Sequence, residues 1–226
     1  MKNCMTKSII IIGGAGTSIN IIEHIADAIM RYSMPVSIGG IIIDSFDKGY
    51  KISGFPVIGN KSVIPELLKD DCNYFIFAMY KPEKMRERYQ LMESLMIPPG
   101  RYTNFIHPLA YVAESVSLGY GNVILSNSTI NSKTKLGNMN IINSNVTIEH
   151  EASIGDGNFV AAGSVVGARA RIVNHCFLGL NSSVREDVVL DEVFVGMHSL
   201  VLKNFGRCTV LGVPAKKYER ESKKKV

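Results

Sequence analysis

The sequence carries few of the features that mark disulfide-rich, metal-binding or membrane chains. Its four cysteines, Cys4, Cys72, Cys176 and Cys208, are scattered, with no CxxC pair among them. That spacing argues against a disulfide framework and a zinc knuckle, and it suits a reducing cytoplasm. Long apolar runs are missing: none approaches the roughly 20 residues that a membrane-crossing helix needs. The aliphatic run at 8–12 meets Gly13-Gly14-Ala15-Gly16 at once. No small-residue cleavage pattern follows, so it is not read as a signal peptide. No basic patch is interleaved with aromatics. The net charge is +5, and Lys216, Lys217, Arg220, Lys223, Lys224 and Lys225 hold much of it. A basic tail of this kind (219–226) reads as a solvated terminus, so neither nucleic acid nor membrane is an expected partner. The expectation is a cytoplasmic globular protein. Its 226 residues, 46% of them hydrophobic, suffice for one large or two small domains.

What is present divides the chain in two. Ile9 to Ile12 form a wholly aliphatic run that reads as a parallel strand buried on both faces. A glycine-rich turn follows, and then Ile19, Ile22, Ile25, Ala26 and Ile29 recur at helical spacing, which predicts a helix over 18–32. Ile38–Ile43 and Tyr74–Ala78 read as further strands, and Pro82–Met96 as a second helix with proline in its first turn. This order predicts a small Rossmann-like α/β domain over 1–103. The loop Gly13-Gly14-Ala15-Gly16-Thr17 would place backbone N–H groups at a helix N-terminus, where a phosphate can sit or the chain can simply turn. Asp44 closes the second strand, where an acidic side chain can reach a ribose hydroxyl or stand in solvent.

From residue 106 an aliphatic residue returns every six positions. The series runs through Ile106, Val112, Leu118, Ile124, Ile130, Leu136, Ile142, Ile148, Ile154, Val160, Val166, Ile172, Leu178 and Val184 to Leu190. Small residues follow four positions later at Ala110, Ser128, Thr134, Ala152, Ser164, Ala170, Cys176 and Ser182. A longer period of 18 relates Leu118-Gly119-Tyr120-Gly121-Asn122, Leu136-Gly137-Asn138-Met139-Asn140 and Ile154-Gly155-Asp156-Gly157-Asn158. Six residues make a short strand and a turn, three strands make a triangular coil, and residues 18 apart stack. A parallel β-helix over 104–218 is expected. After Leu190 the frame slips by one residue, to Val195 and Val201, which predicts a shortened last coil.

These hexads, with Ile106-His107-Pro108, Ile148-Glu149-His150-Glu151-Ala152, Asn174-His175-Cys176-Phe177-Leu178-Gly179 and Gly212-Val213-Pro214-Ala215-Lys216, resemble the left-handed β-helix acyltransferases. Within them the chain is similar to bacterial nucleotide-sugar N-acetyltransferases acting on 4-amino sugars, and to the related sialic-acid O-acetyltransferase-like family. The resemblance covers about 8–218 and is more specific in the second half. It implies left-handed coils, a homotrimer, acetyl-CoA bound between neighbouring β-helices, no metal, and a role in surface glycan synthesis. It implies that His150 is the general base and that Glu151 raises its basicity. Because adjacent strand residues point to opposite sides, Glu151 can serve His150 only at a corner, and Glu149 is the alternative partner. Asn143 falls where the family keeps an asparagine beside the site. The CoA contacts fall on Phe159 (as packing only), on Leu180 and, across the slipped frame, on Met197, with Lys216 available to a CoA phosphate. The best substrate contacts are Ala15, Gly16, Thr17, Asp44, Ser45 and Tyr80. The chain departs from the family at two of these. Thr17 and Ser18 replace a first-loop histidine, and Tyr80 stands near a glycine that lets a nucleotide approach. Both departures bear on the acceptor rather than on acyl transfer.

Three other readings stand beside acetyl transfer to an amino sugar. One is O-acetylation of a hydroxyl acceptor, because one histidine can deprotonate either group. Another is a zinc hydratase, which needs converging histidines; His150 and His175 are not separated by a multiple of 18. The third is a trimer that binds a nucleotide sugar without turnover.

Overall fold

The computed structural model describes residues 6–219. Most of the expected basic tail, from 220 on, lies outside the described residues. Strand β1 (Lys7–Ile12) ends in four consecutive buried isoleucines. Alternation is absent because apolar residues from other elements cover both faces of the sheet. Helix α1 (Thr17–Tyr32) follows and buries Ile21, Ile22, Ile25 and Ala28 on one side. Strands β2 (Val36–Ile42) and β5 (Asn73–Phe77) flank β1, both parallel to it. Between them in the chain lie the hairpin β3 (Lys51–Ile52) and β4 (Phe55–Gly59) and the short helix α2 (Ile64–Leu67). The hairpin is a feature that the reading of the sequence missed. It gives the sheet order β3-β4-β2-β1-β5. The helix expected over 82–96 is shorter: a 3-10 turn at Pro82–Lys84 leads into α3 (Met85–Ser94). Proline suits such a first turn because it has no N–H to leave unpaired.

From β6 (Phe105–Ile106) onward the chain winds through three sheets of short parallel strands. Face 1 carries Phe105, Val123, Ile141, Phe159 and Phe177. Face 2 carries Tyr111, Thr129, Thr147, Val165 and Ser183. Face 3 carries Ser117, Lys135, Ser153, Arg171 and Val189. Each named residue pairs with the one 18 positions away, and the following aliphatic residue points to the axis. In the last coil Val195 pairs with Leu178 and Val201 with Val184, one residue short of that period, as the slipped frame predicts.

The corners follow one rule. From the second coil on, the residue before each buried corner residue adopts a left-handed conformation: Asn127, Asn145, Gly163 and Asn181 on the edge between faces 1 and 2; Lys133, Glu151, Arg169 and Asp187 between faces 2 and 3; Gly121, Met139, Gly157, His175 and Glu192 between faces 3 and 1. Ser128, Thr134, Ala152, Ser164, Ala170, Cys176 and Ser182 are no more than 1% exposed, and Val146 and Val188 fill the same place at two other corners. On the third edge Asn122, Asn140 and Asn158 form a buried ladder. Each Oδ1 accepts the next coil's backbone N–H, and each Nδ2 donates to a neighbouring carbonyl.

The two units share a core. Ile21, Ile25, Ile41 and Ile76 pack with Phe105, Val123, Leu125, Ile141 and Phe159 from face 1. Polar contacts reinforce the seam. His107 is 1% exposed; its Nδ1 accepts the Leu109 N–H at 3.2 Å, so its Nε2 donates to Asp27 at 3.2 Å. His24 Nδ1 donates to the Asn20 carbonyl, which leaves Nε2 to accept from Ser126 or Ser144. Cys176 and Cys208 are free and Cys72 is disulfide-bonded, so the expectation drawn from scattered cysteines holds for the first two and fails for the third.

Two predictions follow from the packing. Asn140→Ala leaves the Asn158 backbone N–H and the Gly155 carbonyl without their side-chain partner, and it lowers stability by about 2–4 kcal/mol, given about 1–3 kcal/mol for each buried group left unpaired. Denaturant unfolding against a Ser153→Ala control measures it, and a loss under about 1 kcal/mol would refute the ladder's role. The second concerns pH. Burial lowers the pKa of both His107 and His175, so the unfolded chain takes up protons that the folded chain refuses. Stability therefore falls as pH drops below about 6.5, the ordinary imidazole value. Melting temperatures that stay level between pH 7.5 and 5.5 (about one unit to either side of that value) would contradict this.

Candidate active site

His150 lies at the corner between faces 2 and 3, just after the strand Thr147–Ile148. Glu151 takes the left-handed conformation, φ 59°, which turns its side chain back beside His150. His150 Nδ1 stands 3.6 Å from Glu151 Oε2, close enough for charge attraction though too long for a hydrogen bond. No ion pair joins Glu149 to His150 among the described residues. The imidazole is about half exposed, at 49%. The 18-residue period brings two further groups to Glu151. Lys133, one coil below, has its Nζ 3.7 Å from Glu151 Oε1. Arg169, one coil above, is held by Asp187 at 2.8 Å. The sequence reading did not single out Lys133 or Arg169, although counting 18 positions from Glu151 in each direction finds both. An exposed imidazole beside a carboxylate can take up a proton and have the resulting imidazolium stabilised.

Asn143 sits on a different edge, between faces 1 and 2. Its Nδ2 donates to the Val160 carbonyl at 3.3 Å, and its own carbonyl accepts from Ser128 at 2.6 Å. In one chain the breadth of face 2 separates it from His150.

The positions expected to contact an acceptor gather elsewhere. Strands β1, β2 and β5 are parallel, so the loops at their carboxyl ends meet at one edge of the sheet. Ala15, Gly16 and Thr17, then Asp44 and Ser45, and then Tyr80 all leave from that edge. Gly13 has φ 118°, and a Cβ there would lie 2.6 Å from Ser18 Oγ, which donates to the Ala78 carbonyl. Glycine is thus needed to bring the first loop against the third. Ala15, Gly16, Asp44 and Ser45 are exposed. No side chain caps the N-terminus of α1; the Ser18 and Ile19 N–H groups donate instead to the Ala15 and Gly16 carbonyls of the same loop. Tyr80 has a structural duty. Its hydroxyl donates to the Met139 carbonyl at 2.5 Å, and its ring lies against Phe77 and Phe159. Burial raises its pKa far above the usual phenol value. It can offer a ligand ring surface and no free hydroxyl.

The positions expected to contact CoA divide in the same way. Leu180 and Met197 are 49% and 68% exposed and stack in successive coils, where the His198 N–H donates to the Leu180 carbonyl. They present exposed apolar side chains on that edge. Lys216 is exposed beyond it. Phe159 does not join them. It is 9% exposed, stacked on Phe177 and roofed by the α/β unit, so even a packing contact with a ligand is closed to it in this arrangement. Among the described residues no three His, Cys, Asp or Glu side chains are placed to hold a metal ion.

Comparison with known proteins supports this architecture. A family model described as the GMPPB C-terminal domain matches residues 101–210. No curated protein matches the chain. Among solved structures, the chain is similar to a mutant perosamine N-acetyltransferase from Caulobacter crescentus in complex with CoA and GDP-perosamine. The identity is 24%, the TM-score is 0.81, and 94% of this chain and 97% of that chain are covered. It is also similar to the acetyltransferase domain of PglB from Neisseria gonorrhoeae in complex with acetyl coenzyme A, at 22% identity and TM-score 0.80 over 94% and 100% of the two chains. WeeI from Acinetobacter baumannii matches at 18% identity and TM-score 0.77, over 94% and 100%. Likeness at these identities establishes a common fold across both units. The resemblance read from the hexads and the Glu-His-Glu segment thus points to structures that share this fold along nearly the whole chain.

Removing the Tyr80 hydroxyl tests the seam near the substrate loops. Tyr80→Phe leaves the Met139 carbonyl without that donor and lowers stability by about 0.5–1.5 kcal/mol. Unchanged unfolding in denaturant would show that the hydroxyl contributes nothing there.

Proposed function

We propose that this chain is an acetyl-CoA-dependent acetyltransferase acting on the amino group of a nucleotide-linked amino sugar, in surface glycan synthesis in the cytoplasm. In this reading 1–103 is a Rossmann-like acceptor-binding domain and 104–218 a left-handed β-helix that carries the chemistry. The observation that carries the proposal is the His150–Glu151 pair, half exposed on a corner where the coils allow both side chains to face one another. His150 would remove the proton from the acceptor amine as its nitrogen attacks. Glu151, itself near Lys133, would stabilise the imidazolium that forms. Acetyl-CoA would supply the acetyl group as a thioester and leave with a thiolate that takes up the proton. Leu180 and Met197 would carry its apolar arm, and Lys216 would meet a phosphate. Ala15, Gly16, Thr17, Asp44 and Ser45 would hold the nucleotide, with the ring of Tyr80 beside it.

The position of the pair supports a homotrimer. The α/β unit covers face 1, whereas His150 stands on the edge that face 1 does not share. Substrate loops and base therefore lie on opposite sides of one prism, and an acceptor held by one copy would meet the His150 of a neighbour. Asn143 would join the same site from the facing copy.

The test is thiol release from acetyl-CoA with UDP-, dTDP- and GDP-linked 4-amino sugars and their hydroxyl counterparts. Release with an amino sugar, reduced by roughly 10²–10⁴ in kcat for His150→Ala with CoA still bound, is the expected result. Full activity in that variant would remove His150 as the base. Turnover of the hydroxyl form alone would make the chain an O-acetyltransferase. Nucleotide-sugar binding without any release would make it a binding trimer.

A further inference from the structure

An aromatic pair stands at the edge where the loops after β1, β2 and β5 meet. The rings of Phe46 and Tyr50 stack, with centres 4.5 Å apart and planes 10° apart. They remain 39% and 52% exposed although each covers a face of the other, so their outer faces are open to solvent. Neither ring joins the hydrophobic clusters that make up the core. The loop that carries them is fixed on β4 at both ends. The Ile43 N–H donates to the Gly59 carbonyl at 3.1 Å, and the Gly49 N–H donates to the Val57 carbonyl at 2.8 Å. The Tyr50 carbonyl accepts from the Val57 N–H at 2.7 Å. Strand β3 then leans on the glycine turn. Ile52 is buried, and a Cβ on Gly14 would lie 2.6 Å from its Cδ1. Next to it, Ser53 Oγ donates to Glu23 of α1 at 3.0 Å. The rings are thus held beside the glycine turn before any ligand arrives. Asp44, Asp47, Lys48 and Lys51 around them balance in charge, so the spot draws no ion by charge alone. What it offers is a flat apolar surface.

We infer that Phe46 and Tyr50 form the platform on which the aromatic base of the acceptor stacks. This rests on the reading of the acceptor as a nucleotide-linked sugar, and it assigns the base of that nucleotide to two residues. The order of the strands carries the argument. Along this edge the turn after β1 comes first, Asp44 after β2 comes next, and the side of β4 lies beyond. In nucleotide-binding sheets of this build, phosphates take the turn after the first strand, and an acidic side chain at the end of the second takes the ribose. A base joined to that ribose lies one step farther out, over the loop that carries the two rings. Every base has a flat face, so stacking fixes the class of ligand and leaves the choice of base to other contacts. The competing occupant of two bare rings is the surface of a second copy.

The test is calorimetric titration of the full chain with UDP, dTDP, GDP and ribose 5-phosphate, which carries no base. The expected result is saturable binding of at least one nucleotide, with ribose 5-phosphate weaker. Tyr50→Leu keeps apolar bulk and loses the ring. It weakens nucleotide binding about ten-fold, the size of one lost base stack, and does not weaken ribose 5-phosphate further. Phe46→Leu, which takes away the ring behind Tyr50, acts in the same direction, and Tyr50→Trp restores what Tyr50→Leu loses. Nucleotide binding that survives both leucine variants, with thiol release from acetyl-CoA unchanged, would overturn the platform and leave the acyl-transfer proposal standing. Ribose 5-phosphate bound as tightly as the nucleotides would overturn the base as the occupant. A changed oligomeric state in Tyr50→Leu, with nucleotide affinity kept, would give the rings to a contact between copies and overturn the inference. Failure of every nucleotide to bind would overturn the platform together with the nucleotide part of the proposed function, and thiol release with an unlinked amino sugar would then show that acyl transfer itself stands.

Discussion

Everything in the second half of this molecule depends on the hydrogen bonding of each residue to the one a full coil away. Backbone groups in strands this short have no other partners, and a buried unpaired group is costly. The register is therefore locked at 18 residues through Ile124, Ile142, Val160 and Leu178, and it gives up one residue only near the end, where Val195 meets Leu178. That lock fixes three things together: an aliphatic column on the axis, buried residues inside each corner, and a left-handed residue just before them.

The lock also makes the edges of the prism chemically distinct. On one edge Lys133, Glu151, Arg169 and Asp187 stack as alternating charges, and His150 stands beside them. On another, asparagines run through the interior, and His175 and Glu192 face α3. On the third, Ser126 and Ser144 meet His24 while Leu180 and Met197 remain bare. A repeat built for stability thus presents three columns of side chains whose spacing no single substitution alters.

Face 1 ties the two units into one body. Its outer residues, which in a free-standing β-helix would meet water, complete the core beneath α1. This placement directs the carboxyl ends of β1, β2 and β5 over face 1 and away from His150. The contact that stabilises the α/β unit is also the one that keeps the loops after β1, β2 and β5 apart from the His150 corner within one chain.

The hexad series from Ile106 to Leu190 determined the β-helix, its three faces and its slipped last coil, because axial burial imposes a strict period on the sequence. The run Ile9 to Ile12 and the helical spacing after it determined a buried strand and α1 for the same reason. His150 was legible through its motif. The resemblance named Glu151 before Glu149 as its neighbour, and the left-handed turn at Glu151 sets that carboxylate 3.6 Å from the imidazole. Lys133 was hidden because its link to Glu151 runs between coils. The hairpin of β3 and β4 left too short a pattern to read. The commitment of Tyr80 to Met139 and the burial of Phe159 arise where the two units meet, and no local period records a contact between segments so far apart in the chain.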